Sequence, residues 1–520
     1  MHYKFHHTPN GLKSKNLERA LKAPTKIYPI GHDIEIDKEL LINKSKDFKQ
    51  EQRIILSKVI QERIGENTHA RQLENITKLL DPDSVTVTTG QQLHPFLGPL
   101  FVWSKIMSAV DLSVRYEAKF GRPVIPVYWM ATEDHDFEEI ENVPFLGKTY
   151  QWKTEQTGAV GQFDTEGIQN LKDQIKADFT EDLALHEFLD QYASHYQEGV
   201  SLSKASTALV NEWFGHLGVL PLDPNDKKLK QSAKDIFFRE INGINQAACE
   251  RQNNLLKSEG LPVNIGARNT RLFYLSDNQR QRIDEVEGTF QTQNTAKKWT
   301  AEELKKEIDL HPDRFSPNVL LRPIYQQYIL PNMAYVAGPS EYLYWLQLPE
   351  LFKVNELSIP KLHLRVLSTV TTANQRKKKQ QLSIAPGDWF LPLDKLQIQL
   401  QNNDPKAKKL REQVIELSNL LDDVTQTLYD MHSPILKEIK KDYKRMLKEL
   451  QSELEHYLSG DKHTQLMERS LNQLFKLKSG PYNEKSPLER NTFYLEWIFK
   501  NKSIFDYQSL ENSFVEIALD

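Results

Sequence analysis

Between Val85 and Glu139 the apolar positions change period twice. Val85-Thr86-Val87-Thr88-Thr89 is a β-branched run that favours a strand, and it breaks at Gly90-Gln91-Gln92. Leu93-His94-Pro95-Phe96-Leu97-Gly98 then leads to Pro99. A helix can open there, because the first helical N–H has no intrahelical partner and proline lacks one. Val102, Ile106, Ala109, Val110 and Val114 keep helical spacing to about Tyr116. Gly121-Arg122-Pro123 ends that helix, and Val124-Ile125-Pro126-Val127-Tyr128-Trp129-Met130 reads as a second, mostly apolar strand. It empties into Glu133-Asp134-His135-Asp136. A strand, a crossover helix and a doubly buried strand predict a βαβ unit of a parallel sheet. Ligands collect at the carboxyl ends of such strands, where both polar clusters fall.

The flanking segments extend this pattern. Residues from about Asp37 to Leu80 read as helical, through Leu40, Ile54, Leu56, Val59, Ile60 and Ile64. Phe145 to about Gln162 suggests a small β insertion, with helices following from Asn170 to Phe214. Gly218 to Pro224 reads as a short strand rejoining the sheet, and Asp226 to Lys257 as one long helix. Val263-Asn264-Ile265 and Leu272-Phe273-Tyr274-Leu275 suggest a hairpin in a second insertion. The alternation resumes with Ser316 to Pro323, Tyr335 to Glu341, an aromatic helix (Tyr342, Tyr344, Trp345, Leu348) and a strand from Pro360 to Val366. Leu410, Val414, Leu417, Leu421, Val424, Leu428, Met431 and Ile435 make a coiled-coil seam. A reversal at Ser433-Pro434 and a second helix from Ile439 to Tyr457 would close an antiparallel hairpin. The expected fold is therefore α/β: a doubly wound, Rossmann-like parallel sheet core over 1–395, with insertions at about 144–200 and 258–312. A helical coiled-coil domain follows over 396–478, and an apolar tail over 479–520 docks back on the core.

Composition narrows the function classes. At 520 residues the chain exceeds one small core. The 67 basic and 71 acidic residues leave a net charge of −4, which argues against nucleic acid as a main partner. No apolar run approaches the roughly 18 to 20 residues of a membrane span. The first residues have neither the apolar core nor the cleavage site of a secretory signal. A single cysteine, Cys249, leaves no internal disulfide and no thiolate metal cage. The cytoplasm is the compartment expected.

Three readings of Glu133, Asp134, His135 and Asp136 stand: a general acid/base site, a divalent-metal site, or an acidic first helical turn. The imidazole between two aspartates favours the first, because flanking carboxylates tune it for proton transfer near neutral pH. No HExxH spacing supports a metal. Neither a Walker loop nor GxGxxG is present. Gly90 and Gly98 instead suit a turn that a ligand approaches, with Thr89, Gln91 and Gln92 beside it. Gly338-Pro339-Ser340-Glu341 lies between a strand and a helix, where N–H groups could hold an anion and Ser340 would cap. Asn318, Arg322 and Arg365 are polar residues at expected strand positions. Each arginine is either a buried ion-pair partner or a clamp for carboxylate or phosphate.

Thr88-Thr89-Gly90-Gln91-Gln92, Gly98-Pro99-Leu100-Phe101 and the run from Pro126 through Glu133-Asp134-His135-Asp136 to Glu139 carry a resemblance. Together with the segments at Asn318 to Arg322, Gly338 to Glu341, and Arg365 and Ser368, they resemble the bacillithiol biosynthesis cysteine-adding enzymes, the BshC family. One departure is Leu93-His94-Pro95, which replaces smaller residues inside the turn. The resemblance implies a ligase for the last step of bacillithiol synthesis, joining the amine of glucosaminyl-malate to the carboxyl of cysteine. On that reading the glycine turn and Glu133 to Asp136 would form the condensation site, with His135 deprotonating the attacking amine. The resemblance also gives Arg322 and Arg365 the two malate carboxylates to bind. Activation of a free carboxylate points to ATP, for which the sequence displays no site. The seam suits a homodimer. Alternatives are another nucleotidyltransferase-like acid–amine ligase and a non-enzymatic coiled-coil assembly protein.

Overall fold

In the computed structural model, contacts divide the chain into two compact units. One comprises Leu12–Ser368 with Glu489–Val515, the other Met1–Gly11, Thr369–Leu488 and Glu516–Asp520. The structure describes residues 3–5, 15–29, 48–145, 148–276, 278–293, 297–371, 373–385, 388, 393–403, 405–430, 441–442, 445–446, 448–450, 452, 482–483, 486–487 and 514–518.

The first unit is built on five parallel strands: β1 (Val85–Gln91), β2 (Val124–Met130), β3 (Leu220–Leu222), β4 (Asn332–Ala337) and β5 (Lys361–Leu364). Their order across the sheet is β5-β4-β1-β2-β3. Strand order therefore reverses between β1 and β4, the doubly wound Rossmann-like arrangement in which ligands bind at the switch point. Gly90 pairs with Trp129 on β2, and Thr89 with Val336 on β4. The expected β1–helix–β2 crossover is present, its helix α1 running from Leu100 to Phe120 with Pro99 at the N-cap.

Both faces of the sheet are covered, which explains why β2 is apolar at nearly every position. Ile125, Val127 and Trp129 face a large core that includes Leu56, Val59 and Ile60 of the preceding helix Gln50–Ile64. Val85, Val87, Val124 and Val336 face Ala109 and Leu112 of α1. An antiparallel sheet inserted between β3 and β4 has the order Lys298–Trp299, Thr289–Thr292, Gln279–Val286, Leu272–Ser276, Phe315–Pro317.

Four expectations change here. Val263 to Ile265 is not a strand; the hairpin partner of Leu272–Ser276 is Gln279–Val286. The segment from Asp226 is three helices, Lys227–Ser232, Lys234–Ile241 and Ile244–Ser258, because Ala233 leaves helical geometry and Gly243 turns left-handed at φ 73°. Phe315–Pro317 pairs with the inserted sheet instead of the core, and Arg322 opens a helix, Arg322–Ile329, with Pro323 in its first turn. Arg365 lies just beyond β5.

In the second unit, helices Leu393–Asn403 and Pro405–Asp430 are described. Leu417 and Val424 of the expected seam are exposed, while Val414 is buried. The reversal at Ser433-Pro434 and most of the expected second helix and docking tail lie outside the described residues.

The turn between β1 and α1 is the strained part of the core. Phe96, Leu97 and Gly98 all have positive φ, at 54°, 64° and 75°. The Phe96 N–H donates to the buried Tyr196 hydroxyl at 2.7 Å, helping to hold the turn. His94 folds back over Gly98 so closely that a Cβ there would stand 2.5 Å from the His94 Cβ. Gly98→Ala should thus cost about 1–3 kcal/mol through backbone strain and overpacking. Chemical denaturation checks this, and a wild-type midpoint would show that the turn relaxes freely.

Candidate active site at the switch point

A cleft of about 970 Å³ opens at the carboxyl ends of β1 and β4. Gly90, Gln91 and Gln92 line it from β1, Glu133 and Asp134 from the end of β2, and Gly338, Ser340 and Glu341 from the end of β4. Asn318, Arg322 and Arg365 complete the expected residues that the fold brings together. Thr89 is buried beside the cleft and spends its hydroxyl on Val336 O at 2.9 Å, tying β1 to β4. Gly98 lies behind His94, and Ser368 falls in strand Leu367–Thr371 with its side chain outside the described part.

The switch point is organised by Lys105 on α1, a residue that no sequence motif marks. It is almost fully buried. Its ammonium donates to Gly90 O and Gln91 Oε1, both at 2.7 Å, and pairs with the Glu341 carboxylate. Glu341 in turn accepts the Gly338 N–H at 2.8 Å and the Tyr335 hydroxyl at 3.0 Å. Burial pulls Lys105 below the ordinary lysine value against the pull of Glu341. Burial would raise the Glu341 carboxyl, but Lys105 holds it below its ordinary value.

This arrangement corrects the anion site expected after β4. Helix α2, Pro339–Trp345, has only seven residues, and its cap comes from Glu341, not from the exposed Ser340. A carboxylate of the chain itself therefore occupies the Gly338 N–H. The turn after β1 likewise forms no phosphate cradle: Gly90 and Gln91 still pair with β2, and a Cβ on Gly90 would meet Trp129 at 3.1–3.2 Å.

Asn318 and Arg322 are set by local turn chemistry. Asn318 Oδ1 accepts the Leu320 and Leu321 N–H groups at 3.0 Å each, which delivers the chain into the Arg322 helix. The Arg322 guanidinium donates to Gln326 at 2.9 Å and to the Tyr344 hydroxyl at 3.2 Å. It lies over the Trp129 and Tyr335 rings at 5.7 and 5.5 Å. Among the described residues no carboxylate pairs with it. The Arg365 backbone N–H bonds Ala337 O at 2.8 Å, and its guanidinium lies 5.8 Å over Phe101.

At the other end the four residues after β2 diverge. Glu133 turns inward to an ion pair with fully buried Lys230, which also donates to Asn225 Oδ1 at 2.7 Å and to Phe315 O. Asp134 receives Gln92 on Oδ2, and the His135 N–H at 2.8 Å and Arg280 at 3.0 Å on Oδ1. Burial would raise the Asp134 carboxyl, but the Arg280 charge, the Gln92 amide and the His135 backbone N–H hold it well below the usual carboxylate range. His135 and Asp136 are not among the residues lining the cleft: His135 is half-exposed beside Phe273 and Arg280, which do line it, and Asp136 is exposed. Among the described residues no three His, Cys, Asp or Glu side chains converge on a metal position. Lys230 and Arg280 had no signal in the sequence, since they gain meaning only from partners 97 and 146 residues away, respectively.

The sequence profile of the bacillithiol biosynthesis BshC N-terminal Rossmann-like domain matches residues 27–366. The chain belongs to the BshC family. Three relatives are each provisionally named cysteine ligase BshC. The one from Cytophaga hutchinsonii is 36% identical over 61% of this chain and 59% of its own length. Those from Christiangramia forsetii and Flavobacterium psychrophilum are 31% and 30% identical, over 87% and 81% of this chain and 85% and 80% of theirs. The matched domain contains every cleft residue described above, so the family's core and this cleft are the same part of the molecule.

The Asp134 interactions give a pH prediction. A carboxyl that titrates lower when folded than unfolded contributes stability above about pH 4, and that contribution fades as the pH falls. Asp134→Asn should therefore destabilise the protein by about 1–3 kcal/mol at pH 7, the gap closing toward pH 3. Denaturation midpoints across pH test this; an undiminished gap in acid would refute the charge-based account.

Proposed function

We propose that this chain is a cytoplasmic, amide-forming ligase that adds L-cysteine to glucosaminyl-malate, the last step of bacillithiol biosynthesis. The observation that carries the reading is Arg322. It is a guanidinium on the wall of the switch-point cleft, stacked between aromatic rings and without a carboxylate partner among the described residues. The malate half of the acceptor has two carboxylates, which a planar fork binds in bidentate fashion. Arg365 stands at the same end of the cleft and supplies a second cation. The rim at Asp134 and His135 lies at the end of β2, where the amine and the cysteine carboxyl would meet. His135 acts on the reacting groups there, with Asp134 and Gln92 fixing the loop that carries it. ATP is the activating co-substrate, and the apolar face at Leu417 and Val424 pairs with a second copy of the chain.

The direct test is to incubate the purified chain with glucosaminyl-malate, cysteine and ATP and to follow bacillithiol by mass spectrometry. Product that requires all three confirms the reading. Product from a different acid–amine pair would replace the substrates, and none with any pair would remove the enzyme reading. In cells lacking the protein, bacillithiol should disappear and glucosaminyl-malate accumulate. Arg322→Met should lower kcat/KM for glucosaminyl-malate by roughly 30–100-fold, the loss of about 2–3 kcal/mol of charge-assisted bonding. An equal loss against cysteine would point to a collapsed cleft in place of a clamp. His135→Ala should abolish turnover with an unchanged denaturation midpoint, and retained turnover would take His135 out of the reaction.

A further inference from the structure

His135 was expected to accept a proton, and the inserted hairpin bears directly on which of its nitrogens could. Arg280, in strand Gln279–Val286, is 8% exposed and reaches across from the insertion to the end of β2. Its guanidinium stacks on Phe273 at 4.0 Å. Nη2 donates to Pro317 O and Nε to Ser316 Oγ, both at 3.2 Å. Nη1 is left facing two groups, Asp134 Oδ1 at 3.0 Å and His135 Nδ1 at 2.9 Å. That nitrogen carries two hydrogens, one for each.

An arginine only donates, so a ring nitrogen 2.9 Å from it must accept. The competing arrangement, Nδ1–H donating to Asp134 Oδ1, is worse on every count. The distance is 3.3 Å, and that oxygen already accepts the His135 backbone N–H and Arg280. It would also set the Nδ1 hydrogen against an Arg280 hydrogen. The neutral imidazole therefore carries its proton on Nε2, and no described protein group bonds that nitrogen.

We propose that Arg280 is a positioning residue that holds His135 in the Nε2–H form, making His135 a hydrogen-bond donor to the reaction. This rests on the ligase reading above. The amine nitrogen forms its bond to the carbonyl carbon of an activated cysteinyl acyl group, a mixed anhydride. The carbonyl π pair moves onto oxygen, where Nε2–H stabilises it. As that pair returns, the bond to the leaving group breaks and its electrons depart with the phosphate. The ammonium proton passes to water. Both nitrogens of His135 are thus assigned without asking it to take a proton.

The tautomer can be read without substrate. The full chain is labelled with 15N-histidine, the His135 signals are found by difference against His135→Gln, and spectra are taken at about pH 8.5, where an ordinary imidazole is neutral. An accepting Nδ1 and a protonated Nε2 are expected in the wild type, with a mixture of the two forms in Arg280→Met. In kinetics Arg280→Met should lower kcat roughly 10–100-fold with KM for both substrates nearly unchanged, and Arg280→Lys, still a donor, should recover part of it. A protonated Nδ1 in the wild type, or an unchanged tautomer in Arg280→Met, overturns the proposal. If the spectra behave as expected but the chain does not join cysteine to glucosaminyl-malate, then the ligase reading has failed and the Arg280–His135 assignment stands.

Discussion

The Lys105–Glu341 pair holds the two halves of the sheet together at the place where ligands enter. A Rossmann-like sheet opens a crevice at its switch point because the helices after β1 and β4 leave in opposite directions. Nothing in the strands themselves fixes how wide that crevice is. Here α1 sends a lysine back beneath the turn after β1, and α2 sends a glutamate to meet it. Each partner also bonds the backbone of the loop it comes to: Lys105 the Gly90 carbonyl, Glu341 the Gly338 N–H. A buried ion pair adds little net stability, because desolvation offsets most of the Coulomb gain. What it confers is geometry, since removing either partner leaves an uncompensated buried charge. The floor of the cleft is therefore stiff for electrostatic reasons, more than for apolar packing.

The same logic distributes charge along the cleft. Glu133 is matched by Lys230, Asp134 by Arg280 and Glu341 by Lys105. Once these pairs are drawn, Arg322 stands on the wall with hydrogen bonds to neutral groups, its cation over two aromatic faces and Glu341 acting on it only at longer range. A cation held that way is desolvated already, so an incoming carboxylate meets it without breaking an existing ion pair. The half-exposed imidazole sits instead beside Phe273 and Arg280 on the inserted-sheet side of the cleft. This polarity supports an acceptor that enters carboxylates first and leaves its amine near the rim.

Much of the core was legible because local and global signals agree there. The β-branched run at Val85, the proline-opened helix and the apolar second strand each point to one conformation, and the sheet uses all three as read. The spatial meeting of the glycine turn with the acidic cluster also followed from topology, and Gln92 does bond Asp134. Legibility ends where burial decides. Arg322-Pro323 suits a strand end or a helix start equally well, and only the Asn318 turn chooses the helix. Ser340 looked like a cap until Glu341 proved close enough to take the Gly338 N–H. Lys105 sits on a helix face that sequence alone would leave in solvent. The seam from Leu410 to Ile435 was readable as a period, but a period does not name the surface that covers it.

The three-residue strand Phe315–Pro317 shows why the misread segment matters most. Taken as a core strand, it would have been one more element of the parallel sheet. In place it is the edge of the inserted sheet, pairing antiparallel with Leu272–Ser276. Two buried cations grip it: Lys230 through Phe315 O, and Arg280 through Ser316 Oγ and Pro317 O. Those same cations hold Glu133 and Asp134 at the end of β2, and the strand runs straight on into the Asn318 turn that aims Arg322. One short strand thus sets the counter-charges of the acidic loop and the guanidinium of the opposite wall. The insertion is then part of the site itself: without it the acidic loop would keep Gln92 and Lys230 but lose the guanidinium that holds Asp134.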